Sequence, residues 1–223
     1  MTGLRYVYAV CRPFGAALQA QLTGVAGAPP KLLTHHGLVA VVSTVPEADF
    51  AEESLRYRKE DGDWPAATDR AHHAVIDALT AVTTPLPLRP GTVFRDDSAV
   101  RVMIEECEDD FRRALDRFAG RVEWHVKVRL EEREMDDEGT RRNAVAFAGR
   151  LHHALSRHAE DHRLYTSRNV LDAAYLVTRK DSEQFVELVD RTNSDVAGPR
   201  VELTGPWAVY SFCGSSTGCG PRA

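Results

Sequence analysis

The sequence predicts an α+β protein in two units, and three patterns carry that expectation. Val122, Trp124, Val126, Val128 and Leu130 alternate with Glu123, His125, Lys127 and Arg129, the period of a strand with one buried face and one wet face. Immediately upstream, Val100, Met103, Ile104, Cys107, Phe111, Leu115 and Phe118 recur at helical steps, with Glu105, Glu106, Glu108, Asp109, Arg112, Arg113 and Arg117 on the other faces. The runs at 6–11 and 37–43 are apolar, rich in Val and too short for buried helices.

Taken in order, the 6–11 strand is followed by Pro13, a short helical stretch through Leu18 and Leu22, a turn-rich link at 24–30 and the 37–43 strand, a strand–helix–strand opening. From Pro46 the chain turns helical. After Asp-Gly-Asp at 61–63, Trp64, Ala67, Ala71, Val75, Leu79 and Val82 form one stripe, with Asp63 as N-cap, Pro65 just inside and Thr84-Pro85 as the stop. Pro85, Pro87 and Pro90 hold 85–91 extended up to the short run Thr92-Val93-Phe94. Asp96 to Ser98 cap the helix that follows, and Gly120 closes it in the left-handed conformation.

Beyond the strand at 122–130 lie a charged connection at 131–140, a helix at 141–160 that turns Val145, Ala148, Leu151, His152, Ala154 and Leu155 inward, and a central strand at 170–178. A short helix carrying Phe185, Leu188 and Val189 and a strand at 200–204, ended by Gly205-Pro206, complete the unit. This is a split βαβ order of ferredoxin-like type lacking one strand, which is sought around Leu164 to Ser167. The expected organisation is an N-terminal mixed α/β unit at 1–120, a modified ferredoxin-like unit at 121–212 and a Gly/Ser/Cys tail at 213–223.

Composition excludes several classes. The 223 residues are 43% apolar and 27% charged, with a net charge of −5, which suits a globular chain. Lys occurs only at 31, 59, 127 and 180, so no basic patch points to nucleic acid, and the aromatic signature of RNA-binding ferredoxin-like sheets is absent. No leader and no long apolar run is seen, so a cytoplasmic protein with no lipid-membrane partner is expected. Cys11 and Cys107 read as core thiols, and Cys213 and Cys219 as residues of an exposed tail.

Catalytic and metal signatures are equally thin. His158 and His162 share a helix face, but the Glu of a His-Glu-x-x-His site is missing; neither a metal nor a cofactor is expected. Phosphate loops, dinucleotide turns and nucleophile elbows are absent, and the paired acids at 105–106, 109–110 and 136–137 read as solvated charge. The less ordinary residues are Arg89 among prolines, Phe94 at the end of that segment, and Trp207, Tyr210 and Phe212 after Gly-Pro. Arg89 is either a structural ion-pair partner or a contact residue. The aromatics either fold back on the sheet or form part of an aromatic contact surface.

Nearly the whole chain also resembles the gas vesicle GvpL/GvpF family. The resemblance rests on Tyr6-Val-Tyr8, on 36–43, the helix containing His72, and Pro-Leu-Pro-Leu-Arg-Pro-Gly-Thr-Val-Phe at 85–94. It continues through Glu123-Trp-His-Val-Lys127, 171–177, and Val-Glu-Leu-Thr-Gly-Pro-Trp at 201–207 with Tyr210-Ser-Phe212. It implies a non-enzymatic accessory or minor structural protein of gas vesicle assembly, located at the vesicle, that contacts the main shell protein GvpA and other gas vesicle accessory proteins. It carries over no catalytic residues, and the tail from Cys213 extends past the usual ending. A soluble partner offering an aromatic groove would shield an apolar shell subunit before assembly. The alternatives are a small-ligand-binding regulatory protein of ferredoxin-like type and an enzyme using Cys213 or Cys219.

Overall fold

In the computed structural model, residues 3–15, 22–50, 63–131, 137–194 and 198–213 are described. The helical stretch through Leu18, residues 61–62 of the Asp-Gly-Asp break and the tail beyond Cys213 lie outside these residues, as do the side chains of Asp63, Trp64 and Pro65. Contacts divide the chain into two compact units that part between Ala119 and Gly120.

The first unit is organised on β1 (Gly3–Cys11), whose Tyr6 to Cys11 are all buried. A strand apolar on both faces must be flanked and covered. β3 (Leu38–Pro46) pairs along one side of it, and β4 (Leu86–Pro87) and β5 (Val93–Phe94) share the other. β2 (Lys31–His35) adds an outer edge to β3, giving the order β2-β3-β1-β4 with β5 also on β1, antiparallel at every pair. Both strands of the expected opening are present as β1 and β3, paired with each other, and β2 is an unexpected strand between them in the chain that forms a hairpin with β3. β2 was not expected because its residues are largely exposed and do not alternate cleanly. The β2–β3 turn places His36 at φ 49° and Gly37 at φ 69°, as two-residue hairpins with a positive φ at both centres require. The proline segment serves as the expected rigid rail: Leu86 and Leu88 point inward, and Leu88 N donates to Tyr8 O at 2.8 Å.

The short helix α1 (Glu47–Phe50), α2 (Asp63–Val82), α3 (Asp97–Glu106) and α4 (Glu108–Phe118) complete this unit. The single helix expected to carry Val100 to Phe118 is two, broken at Cys107 with φ −114° and ψ 12°. The apolar stripe continues through the break, since Val100, Met103, Ile104, Phe111, Leu115 and Phe118 are all buried. Asp96 caps α3, accepting from Ala99 N at 2.9 Å. Cys107 is disulfide-bonded rather than a plain core thiol. Cys11 is the core thiol expected, and burial pushes it up to about 12.

Polar atoms inside this core are wired together. Tyr8 Oη donates to Ser43 Oγ at 3.0 Å and accepts from Val25 N at 2.8 Å. Gly24 passes so close that a Cβ would stand 2.3 Å from that hydroxyl. Tyr6 Oη accepts from Gly91 N at 3.1 Å and lies 3.0 Å from Nδ1 of the fully buried His72.

The second unit runs β6 (Arg121–Arg129), α5 (Glu138–Ser156), β7 (Asp161–Leu164), β8 (Leu171–Thr178), α6 (Ser182–Ser194) and β9 (Arg200–Trp207). The sheet order is β7-β8-β6-β9, antiparallel throughout. The missing strand is β7, slightly before the stretch searched. Trp124, Val126 and Val128 pack with Phe147, Leu151, Leu155, Tyr175 and Phe185 of the neighbouring elements. Val145 is 58% exposed rather than inward, the inner face of α5 being Ala144, Phe147, Ala148, Leu151 and Leu155. β9 continues through Gly205-Pro206 instead of ending there.

Two stability measurements follow. Phe185 is fully buried beside Trp124 and Tyr175, so Phe185→Ala is expected to cost about 3–5 kcal/mol in urea unfolding. Burial holds His72 down at about 4, so the folded state prefers the neutral ring. Its contribution is complete above about pH 6.5 and is lost as pH falls toward about 4. His72→Gln is therefore expected to flatten the slope of stability against pH across that window.

Candidate functional site

The second sheet has an outer face, opposite the helices, that the alternation along β6 assigns to solvent. Glu123 breaks that assignment: it is 2% exposed. A buried carboxylate survives only with donors around it, and three groups supply them. Ser211 N donates to Oε2 at 2.8 Å, Ser211 Oγ donates to Oε1 at 2.5 Å, and His125 Nε2 also meets Oε1. Tyr165 Oη donates to Ser211 Oγ, and its ring stacks on His125 with centroids 6.1 Å apart.

This network fastens the segment after β9 across the outer face. Ala208, Val209 and Phe212 of this segment are buried, and the Arg163 guanidinium lies 6.0 Å from the Phe212 ring centre. Gly205, at φ 137°, lets the chain pass over Trp124, where a Cβ would stand 2.8 Å from the indole and 2.9 Å from Glu123 O. Ser211, Glu123 and His125 have the residue types of a hydrolytic triad in the wrong order of contacts. The carboxylate sits between hydroxyl and imidazole, so the ring holds no hydrogen bond to the hydroxyl it would have to deprotonate. The arrangement is a latch.

The sequence-derived contact residues distribute as follows. Arg89 and Phe94 belong to the first unit, Arg89 exposed and Phe94 half-buried on β5 opposite Arg5. The Arg89 carbonyl caps the turn, accepting from Thr92 N at 3.1 Å and Thr92 Oγ1 at 2.6 Å. Trp207, Tyr210 and Phe212 belong to the second unit, where Trp207 is 38% exposed, Tyr210 half-buried and Phe212 only 3% exposed. The other large exposed apolar residues of the second unit include Leu164 and Tyr165 on the edge-strand side of β7. Sequence reasoning missed Glu123, Tyr165 and Ser211. The signal available was a Glu in a strand followed, far along the chain, by a Ser between two aromatics.

A pocket of about 250 Å³ in the first unit is lined by Arg5, Lys31, Asp97 and Arg101 over Leu33 and Val42. It falls below the roughly 300–1,000 Å³ of small-molecule sites, and the Arg5–Asp97 ion pair already occupies one wall. Among the described residues, no helix is long and apolar enough to cross a membrane.

The described residues form an α+β chain with two antiparallel sheets, in which the polar cluster at Glu123 ties separate segments of the second unit together. Residues 4–146 and 132–214 match the family described as gas vesicle synthesis protein GvpL/GvpF, and the chain belongs to that family. It is 48% identical over 250 aligned positions to gas vesicle protein L of a Streptomyces species, covering 95% of this chain and 93% of that protein. It is 26% identical to gas vesicle protein F2 of Halobacterium salinarum, covering 88% and 86%. The crystal structure of GvpF from Anabaena sp. PCC7120 superposes with a TM-score of 0.73 over 95% of this chain and 96% of that one, at 17% identity, which shows a shared fold. The family takes part in gas vesicle formation.

Removing one side of the latch leaves buried polar groups unmatched. Glu123→Ala is expected to destabilise the protein by about 1–3 kcal/mol, and to raise hydrogen exchange at 208–212 more than on β6 or β8. Equal protection of that segment in the variant and the parent would show that the latch does not hold it.

Proposed function

We propose that the chain is an accessory or minor structural protein of gas vesicle assembly that binds the main shell protein GvpA and other gas vesicle proteins. The observation that carries this reading is the treatment of the C-terminal aromatics. Phe212 is buried and Ser211 is tied to Glu123, while Trp207 on the edge strand stays 38% exposed. A large aromatic on a fixed backbone is a ready anchor for an apolar partner, since little conformational freedom is lost when it is covered. Arg89 and Phe94 offer a cationic and aromatic pair on the rigid proline segment of the first unit, and Tyr210 adds to the rim of the second.

In this reading the second unit is a ferredoxin-like domain, supported by its βαββαβ order and the sheet order β7-β8-β6-β9. The two units correspond to domains at 1–120 and 121–212. The protein works at the vesicle from the cytoplasmic compartment and performs no chemistry of its own. Its exposed anchors delay aggregation of a shell subunit until that subunit is added to the growing wall.

The test is capture of GvpA by the tagged protein from vesicle-making cells, repeated with Trp207→Ala and Arg89→Ala. Each variant is expected to retain its fold and to capture less shell protein, with Trp207→Ala losing about 2 kcal/mol or more of binding if it is a hot spot. Undiminished capture by both folded variants rejects the contact surface. Retention of the parent protein on stripped mature vesicles identifies a wall component, and capture confined to assembling cells identifies an assembly factor.

A further inference from the structure

The tip of the β2–β3 hairpin brings together a set of side chains that neither the latch nor the contact surface uses. His35 and His36 stack with ring centres 4.3 Å apart. His35 Nε2 lies 2.6 Å from Glu105 Oε1 on α3, and His36 Nδ1 lies 2.6 Å from Glu108 Oε2 on α4. One ligand atom from each of His35, His36 and Glu105 falls within 4.8 Å of the others.

We propose that His35, His36 and Glu105 form a binding site for a divalent transition-metal cation of the zinc class. Two imidazoles and a carboxylate are a donor set suited to Zn²⁺, Co²⁺ or Ni²⁺ rather than to Mg²⁺ or Ca²⁺. Ligand bonds of about 2.0–2.1 Å set tetrahedral ligands roughly 3.4 Å apart, so a small inward rotation of half-exposed side chains closes the site. At present Glu105 meets His35 through the proton that a cation would displace.

The surroundings of His36 argue further for ligation. A ligating imidazole characteristically gives its other N–H to a carboxylate, which fixes the tautomer and aims the free nitrogen. Glu108 takes that place on Nδ1, leaving Nε2 for the cation. Arg112 fastens the arrangement, with Nε donating to Glu108 Oε1 at 2.8 Å and Nη2 donating to the His36 carbonyl at 2.5 Å. Three protein ligands leave a fourth position open to water or to a donor from a partner. A bound cation would pin the hairpin tip to both helices on either side of the Cys107 break.

The test is titration of the metal-free full chain with Co²⁺ at neutral pH, read by visible absorption and displaced with Zn²⁺. Saturation at one equivalent is expected. The double variant His35→Ala/His36→Ala and the single variant Glu105→Gln should abolish it with unchanged circular dichroism. Glu108→Gln should weaken affinity by about 10- to 100-fold, and His158→Ala, at an exposed histidine elsewhere, should leave binding unchanged. Failure to saturate, or equal binding by the folded Glu105→Gln and double-histidine variants, overturns the proposal.

Discussion

A carboxylate placed where water cannot reach it must be met by donors from the protein, and Glu123 imposes that demand on the second unit. Its position on β6 is fixed by pairing with Leu176 on one side and Trp207 on the other, so the donors have to come to it. Ser211 supplies two of them from beyond the last strand and His125 is the third group at the carboxylate, while Tyr165 holds Ser211 in place by donating to its hydroxyl. The consequence reaches past the network itself. With Ser211 held, the segment that carries Tyr210 and Phe212 is tied to β6, while Trp207 stays exposed on the edge strand.

The first unit solves a related problem with neutral groups. β1 is apolar on both faces, yet its two tyrosines carry hydroxyls into the core. Tyr8 settles its oxygen between Ser43 and Val25, and Tyr6 between His72 and Gly91. These hydrogen bonds run from β1 to β3, to α2 and to the turn after the proline segment, so the core strand selects its neighbours by polar as well as apolar fit. The proline segment gains its order in the same way. Residues between the prolines still have amide groups, and Leu88 gives its own to Tyr8 O.

Strand β6, the stripe shared by α3 and α4, the Asp96 cap and the buried runs of β1 and β3 were legible, because each follows from a local period or a capping residue. What escaped is of a different kind. β2 is an edge strand with one paired side, so no clean alternation marks it. The helix expected to carry Val100 to Phe118 breaks at Cys107 while its apolar stripe continues, which leaves the periodicity unchanged. Val145 turned outward because the inner stripe of α5 is set one step away, on Ala144 and Ala148. Of the contact residues, Phe212 is buried while Trp207 is exposed, a distinction that residue type alone cannot make.

The sequence by itself determined the classes of element, most of their order, the lack of nucleic-acid and catalytic signatures, and a resemblance that the family match makes membership. These depend on local propensity and on patterns a few residues long. Only the tertiary structure decided which polar residues are buried together. Glu123 and Ser211 are 88 residues apart, and His35 and Glu105 are 70 apart. Their partnership depends on strand register and on where a helix crosses a hairpin, which no local pattern encodes. The physical reason is that a buried charge or an aimed imidazole is defined by what surrounds it in space, and that environment exists only after the chain has folded.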